Sequence, residues 1–187
     1  DNNILFVSDN IGYVYALDYN QKKLLWAKNF KIPFRSNLVV FNNKILIADT
    51  NNVLYLLNKS SGEQIKSIPT EENPLKSNFS NSLVLNEQFL FFLNTYGSIY
   101  STNYNGDIRW FLNVNRASNL KTNLFNSNPV IIHNDKVIIS TELKLFIMNV
   151  NNGALINKIA INSIVQPIIS ENNLFLITNN NLLVCIN

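Results

Sequence analysis

The stretch Lys44–Ile65, KILIADTNNVLYLLNKSSGEQI, decides the fold. Ile45-Leu46-Ile47-Ala48 is a short apolar strand, and Asp49-Thr50-Asn51-Asn52 is a cluster of turn residues. Val53 to Leu57 is a second run rich in strand formers. Asn58-Lys59-Ser60-Ser61-Gly62 closes it with a tight turn, where glycine reaches a positive φ that side-chain-bearing residues resist. Glu63-Gln64-Ile65 opens a third strand. Strand, turn, strand, turn, strand is an antiparallel meander.

The same unit recurs along the chain. The first residue of its leading apolar run falls at Ile4, Ile45, Phe89, Val137 and Leu174, with spacings of 41, 44, 48 and 37 residues. A second anchor, the polar residue closing the middle strand, falls in step at Asp18, Asn58, Asn103, Asn149 and Asn187. Gly62, Gly106 and Gly153 follow three of these anchors, and Trp26, Ile65, Trp110 and Ile156 stand at the next strand start. A period of roughly 40–45 residues with four strands per copy is that of a propeller blade. The expected organisation is one region, 1–187, with blades near 1–30 (partial), 36–69, 80–114, 128–161 and 164–187 (partial).

Val14-Tyr15-Ala16-Leu17-Asp18 followed by a turn and Trp26 resembles the blade repeat of the PQQ-like (quinoprotein-type) β-propellers. Ile99 to Asn103 with Gly106 and Trp110 carries the same resemblance, which extends over essentially the whole chain. It implies an all-β partial propeller of about three full four-stranded blades and two incomplete ones. No innermost strand precedes Ile4 and no outer strand follows Ile186, so the reading is a fragment of a ring of about eight blades. A fold of this kind hosts many functions, so function rests on residues.

Composition narrows the options. The chain is 47% hydrophobic and 14% charged, with net charge +3. No basic run exceeds Lys22-Lys23, which argues against a nucleic-acid face. The abundance of Asn, Lys and Ile reads as a product of AT-rich coding. No segment reaches the roughly 18 apolar residues of a membrane span. The one cysteine, Cys185, falls on an alternating strand as a small buried apolar residue, and the one histidine, His133, falls in an exposed hairpin turn. A Cys–His dyad does not follow from them. The Asn-Lys-Ser and Asn-Phe-Ser triplets at Asn58 and Asn78 match a glycosylation pattern that an Asn-rich chain produces by chance.

Quinoprotein dehydrogenases of this fold hold PQQ and calcium beside a Cys-Cys pair. No such pair is present, and Asp49 and Asp135 read as turn carboxylates serving local N–H groups. Glu71-Glu72 reads as a solvated pair in a polar loop, short of the six to eight oxygens calcium takes. The expectation is therefore no catalytic, cofactor-binding or metal residue, and no cofactor. Trp26 and Trp110 are expected to pack between blades, with Ile65 and Ile156 in the matching places.

Among non-catalytic relatives, the chain most resembles the BamB-like propeller lipoproteins of the outer-membrane β-barrel assembly machinery. That resemblance implies a periplasmic protein-interaction scaffold, lipid-anchored outside this stretch, docking on the POTRA domains of the barrel-assembly subunit and binding no nucleic acid. The alternatives are part of a PQQ-dependent dehydrogenase or a ligand-sensing propeller of a larger protein. Candidate docking residues are Phe34, Arg35, Lys59, Tyr104, Arg116 and Phe125. Phe34 and Phe125 have a second reading, tucked beneath their own connectors. The long connector Asn115–Asn128 also carries Lys121.

Overall fold

A computed structural model of the chain describes residues 3–72, 77–117 and 124–187. It contains five antiparallel sheets, each formed by consecutive strands. The first holds β1 (Ile4–Ser8), β2 (Tyr13–Asp18) and β3 (Lys23–Asn29). The second holds β4 (Val39–Phe41), β5 (Lys44–Ala48), β6 (Leu54–Asn58) and β7 (Gln64–Ile68). The third holds β8 (Ser82–Leu85), β9 (Leu90–Leu93), β10 (Ser98–Thr102) and β11 (Ile108–Asn113), and is followed by a single helical turn, α1 (Val114–Ala117). The fourth holds β12 (Ile131–His133), β13 (Lys136–Ser140), β14 (Leu145–Asn149) and β15 (Leu155–Ile159). The fifth holds β16 (Ile168–Ser170), β17 (Asn173–Ile177) and β18 (Leu183–Ile186). Among the described residues, the first and last sheets share no strand pairing.

Most middle strands are nearly continuous apolar runs because both faces of each inner sheet are covered, while the equally buried β10 carries Ser98, Ser101 and Thr102. Ile45 and Ile47 of β5 point to the first sheet, where they pack with Val14, Tyr55 and Leu57. Leu46 and Ala48, the alternate residues, point to the third sheet and meet Leu90, Phe92 and Tyr100. Phe91, Leu93 and Ile99 turn the other way, onto Val137, Ile139, Phe146 and Met148 of the fourth sheet. Ile138, Leu145 and Leu174 join the fourth and fifth. The core is thus a series of slabs between sheets, and the sheets are propeller blades.

Two local details depart from the strand pattern of the sequence. The second blade, expected from residue 36, starts its innermost strand only at Val39. The Asn37 side chain instead clamps the next blade: its Nδ2 donates to the Leu83 carbonyl at 2.7 Å and its Oδ1 accepts from the Leu83 amide at 2.8 Å. The second detail is a bulge in the last strand of each of the first four sheets. The register shifts opposite Ala16/Leu17, Leu56/Leu57, Ser101/Thr102 and Ile147/Met148. Ala16 pairs with Trp26 and Ser101 with Trp110, but Leu56 pairs with Lys66 and Ile147 with Asn157. The equivalents of the tryptophans are therefore Lys66 and Asn157, not Ile65 and Ile156. Ile65 and Ile156 are the extra bulge residues, aimed outward and about half exposed, at 51% and 53%.

Cys185 is exposed on β18, not buried. His133 is the last residue of β12 and half-buried, its Nε2 enclosed with no hydrogen-bond partner among the described residues.

Candidate partner-docking faces

An antiparallel meander sends alternate turns to opposite ends of the sheet. One end of the molecule gathers the turns between second and third strands together with the connectors between blades. It is called the connector end here. The other gathers the remaining turns and is the hairpin end.

At the connector end each blade opens its central turn with a capping side chain. Asp9 Oδ1 accepts the amides of Ile11 and Tyr13 at 3.0 and 2.8 Å, and its Oδ2 accepts the Tyr15 hydroxyl at 2.9 Å. Asp49 does the same with Asn51, Val53 and the Tyr55 hydroxyl at 2.8, 2.9 and 3.0 Å. Asn94 takes the role for Tyr96 and Ser98, Thr141 for Leu143 and Lys144, and Thr178 for Leu182. Burial acts on Asp9 in the raising direction, but the Tyr13 amide and the Tyr15 hydroxyl outweigh it and hold the carboxyl below the ordinary aspartate value. Burial prevails at the fully enclosed Asp49 and pushes its carboxyl up. Burial, together with the Asp49 charge, likewise raises the Tyr55 phenol. The local role expected for Asp49 is observed. Asp135 differs, being exposed and offering its backbone carbonyl to the Val150 amide at 2.8 Å.

The second and third blades are also joined here by a buried polar network. Asn81 Nδ2 donates to the Asp49 carbonyl at 2.8 Å, while its Oδ1 accepts the Thr95 amide at 3.1 Å. The Thr95 hydroxyl donates to Asn52 Oδ1 at 3.0 Å, and Asn52 Nδ2 donates to the Glu71 carbonyl at 3.0 Å. Glu71 is half-buried and accepts the Ser98 hydroxyl, so it is not the solvated loop residue the sequence implied. Its polar flanks gave no sign that it folds back over the next blade.

Four of the six candidate docking residues stand at the connector end. Phe34 and Phe125 are only 6% and 4% exposed, so they are core residues and not exposed anchors. Phe34 packs edge-on against Phe30 and Tyr55 with centroids 5.4 and 5.9 Å away. Phe125 packs against Gly97. Arg35 donates to the Ser77 carbonyl and Asn78 Oδ1 at 3.1 and 3.0 Å. Arg116 donates to the Tyr96 hydroxyl at 3.0 Å, which raises its pKa. Lys121 lies outside the described residues. Lys59 and Tyr104 are at the opposite, hairpin end, so the six do not form one surface. The Lys59 carbonyl accepts the Trp26 indole N–H at 3.1 Å, and the Tyr104 hydroxyl donates to the Asn86 carbonyl.

Sequence reading missed a further set at the connector end. Ile11, Leu143, Ile164, Val165 and Leu182 are large apolar side chains exposed on its turns and connectors. A cavity of about 270 Å³ lies beside Leu143, lined by Phe79, Leu124, Phe125, Thr141 and Glu142. Apolar residues inside turn clusters were the available signal.

Among the described residues, no group of three His, Cys, Asp or Glu converges to hold a metal. No helix among them is long and apolar enough to cross a membrane.

The fold and repeat define a β-propeller of the PQQ-like blade type. More narrowly, the chain belongs to the family described as outer membrane protein assembly factor BamB, whose profile matches residues 1–187. The crystal structure of BamB from Moraxella catarrhalis superposes with a TM-score of 0.80 at 11% identity, covering 100% of this chain and 58% of that one. The computationally designed Ika8 protein superposes at 0.76 with 9% identity, covering 99% of this chain and 55% of its own. The designed Ika4 protein gives 0.63 at 7% identity, covering 85% and 93%. The chain thus spans well under two thirds of BamB, and likeness at such identity establishes the fold alone. No curated protein sequence matches.

Proposed function

We propose that this chain is a non-catalytic interaction scaffold that assists outer-membrane β-barrel protein assembly by docking on a POTRA-containing partner. Membership of the BamB family supports the assembly role. The carrying observation is the connector end, where Leu143, Ile164, Val165 and Leu182 stand exposed on turns and connectors, Leu143 at the edge of a small apolar groove. Apolar anchors on a rigid frame lose little entropy on binding. Arg35 and Arg116, each already oriented by hydrogen bonds, would supply polar contacts at the rim. Within this reading the protein works at the periplasmic face of the outer membrane, held there by a lipid anchor outside this stretch.

Calorimetric titration of the full gene product with soluble POTRA domains tests it. The Leu143→Asp/Val165→Asp double variant is expected to weaken binding at least tenfold while its circular dichroism stays unchanged. Absence of binding by the unaltered protein, or equal binding by the variant, would overturn the proposal.

A further inference from the structure

The seams between blades are closed differently at the hairpin end. Between the second and third blades, Tyr104 fills the gap: its ring packs 5.2 Å from Phe41 and its hydroxyl donates to the Asn86 carbonyl at 2.5 Å. Between the third and fourth blades the residue in the same place, directly after the strand-closing asparagine, is Val150. Its short side chain is buried and leaves a cavity of about 680 Å³. Val84, Phe89, Ile132 and Val150 form an apolar floor continuous with the core between these blades, and the exposed carboxylates Glu87 and Asp135 stand at the rim. The hairpin Asn86–Phe89 is two residues longer than Asn42–Asn43 in the preceding blade, which builds the wall higher.

Arg109 braces the outer side. Its guanidinium lies 3.3 Å over the Phe89 ring and donates to the Asn151 carbonyl and Ser101 Oγ, both at 3.1 Å. That cation is engaged. Glu87 and Asp135 have no ion-pair partner among the described residues.

We infer that this seam is a docking pocket for an extended segment of a partner protein presenting an aromatic side chain flanked by lysine or arginine. The aromatic ring would take the place that Tyr104 fills one seam earlier, and the cations would face Glu87 and Asp135. A cavity of this size with an apolar floor and a few polar groups at its mouth is the usual form of an anchor pocket. The carboxylates favour a cationic partner and disfavour an anionic one. This site lies at the opposite end from the proposed connector-end interface and stands independently of it.

The probe is the capped tripeptide Ac-Lys-Tyr-Lys-NH2, titrated into the full gene product and followed by NMR shifts, with Ac-Lys-Ala-Lys-NH2 as control. The tyrosine peptide is expected to bind at least tenfold tighter than the alanine peptide. Val150→Tyr, which fills the seam from within, is expected to abolish binding. Should that variant not fold, Glu87→Gln/Asp135→Asn is expected to weaken the tripeptide at least fivefold and leave Ac-Tyr-NH2 unchanged. Equal binding of the two peptides, no binding of either, or indifference to the carboxylate substitutions would overturn the inference. Tyr19, directly after the strand-closing Asp18 and 58% exposed, is the chain's own side chain in the Tyr104-equivalent place, so self-association of the protein alone that disappears in Tyr19→Ser would also overturn the inference, by assigning the pocket to a second copy of the chain.

Discussion

The seam between the second and third blades and the seam between the third and fourth are the same construction closed in two ways. At the third–fourth seam the Trp110 indole lies flat on the next blade's turn and donates to the Val150 carbonyl at 3.1 Å. Only a glycine admits it, because a Cβ on Gly153 would stand 2.5 Å from the ring. The first–second seam repeats this with Trp26, Gly62 and the Lys59 carbonyl. At the second–third seam Lys66 takes the tryptophan's place. Its stem and Ile68 cover Gly106, and its ammonium meets Asp107 at 2.6 Å. That seam also carries Tyr104 at the hairpin end and the Asn52–Asn81–Thr95 network at the connector end. The second–third interface, which lacks the indole, adds polar contacts at both ends of its apolar core. The third–fourth interface, which keeps it, leaves a cavity at the hairpin end.

The largest effect expected from this contrast is at the glycines. Gly153→Ala forces a side chain into backbone at φ +71° and against a rigid indole, and should cost roughly 2–4 kcal/mol in denaturant unfolding. Gly106→Ala meets the flexible tips of Ile68 and Lys66 and should cost about 1–2 kcal/mol, mostly backbone strain. Equal costs would break the contrast. Next comes Asn81→Ala, which leaves the Asp49 carbonyl and the Thr95 amide with only their longer bonds to Asn52, at 3.3 and 3.4 Å. About 1–2 kcal/mol of destabilisation is expected in the same assay.

The paired aspartates sharpen the comparison through pH. Asp9 and Asp49 make the same three hydrogen bonds, but their pKa values move in opposite directions because only Asp49 is fully enclosed. The raised carboxyl of Asp49 stabilises the fold below the ordinary value of 3.8, and that contribution is lost as the pH rises through its folded pKa. The lowered carboxyl of Asp9 stabilises above 3.8, and its contribution is lost as the pH falls through its own folded pKa. Stability relative to Asp49→Asn should therefore fall with rising pH, and stability relative to Asp9→Asn should rise. Slopes of the same sign would show that enclosure is not what separates them. The smallest effect belongs to the exposed Lys66–Asp107 pair. Its removal by Lys66→Met should change stability only slightly, and any change should shrink in high salt.

The blades were legible because strands buried on both faces are mostly apolar, and because Asn58-to-Gly62-type turns recur in step with them. The bulges were not legible. One inserted residue moves the tryptophan position onto Lys66 and Asn157, and nothing in the apolar pattern at Ile65 or Ile156 records the shift. The polar network was hidden by composition. In a chain rich in asparagine, Asn37, Asn52, Asn81 and Asn94 look like their neighbours, although each holds a hydrogen bond across a blade seam. Of the docking candidates, Phe34 and Phe125 were aromatic residues in connectors whose rings belong to the core. Arg35 and Arg116 were placed on the end proposed here to dock, while Leu143, Ile164 and Val165 went unnoticed because their turns read as polar.

The most direct test of the account is hydrogen exchange on the full gene product, free and bound to POTRA domains. The account predicts new protection at the connector end, in residues 33–36, 141–143 and 163–165, with the hairpin-end turns 58–62 and 149–153 unchanged. Protection confined to the hairpin end, or none in a complex shown to have formed, would contradict it.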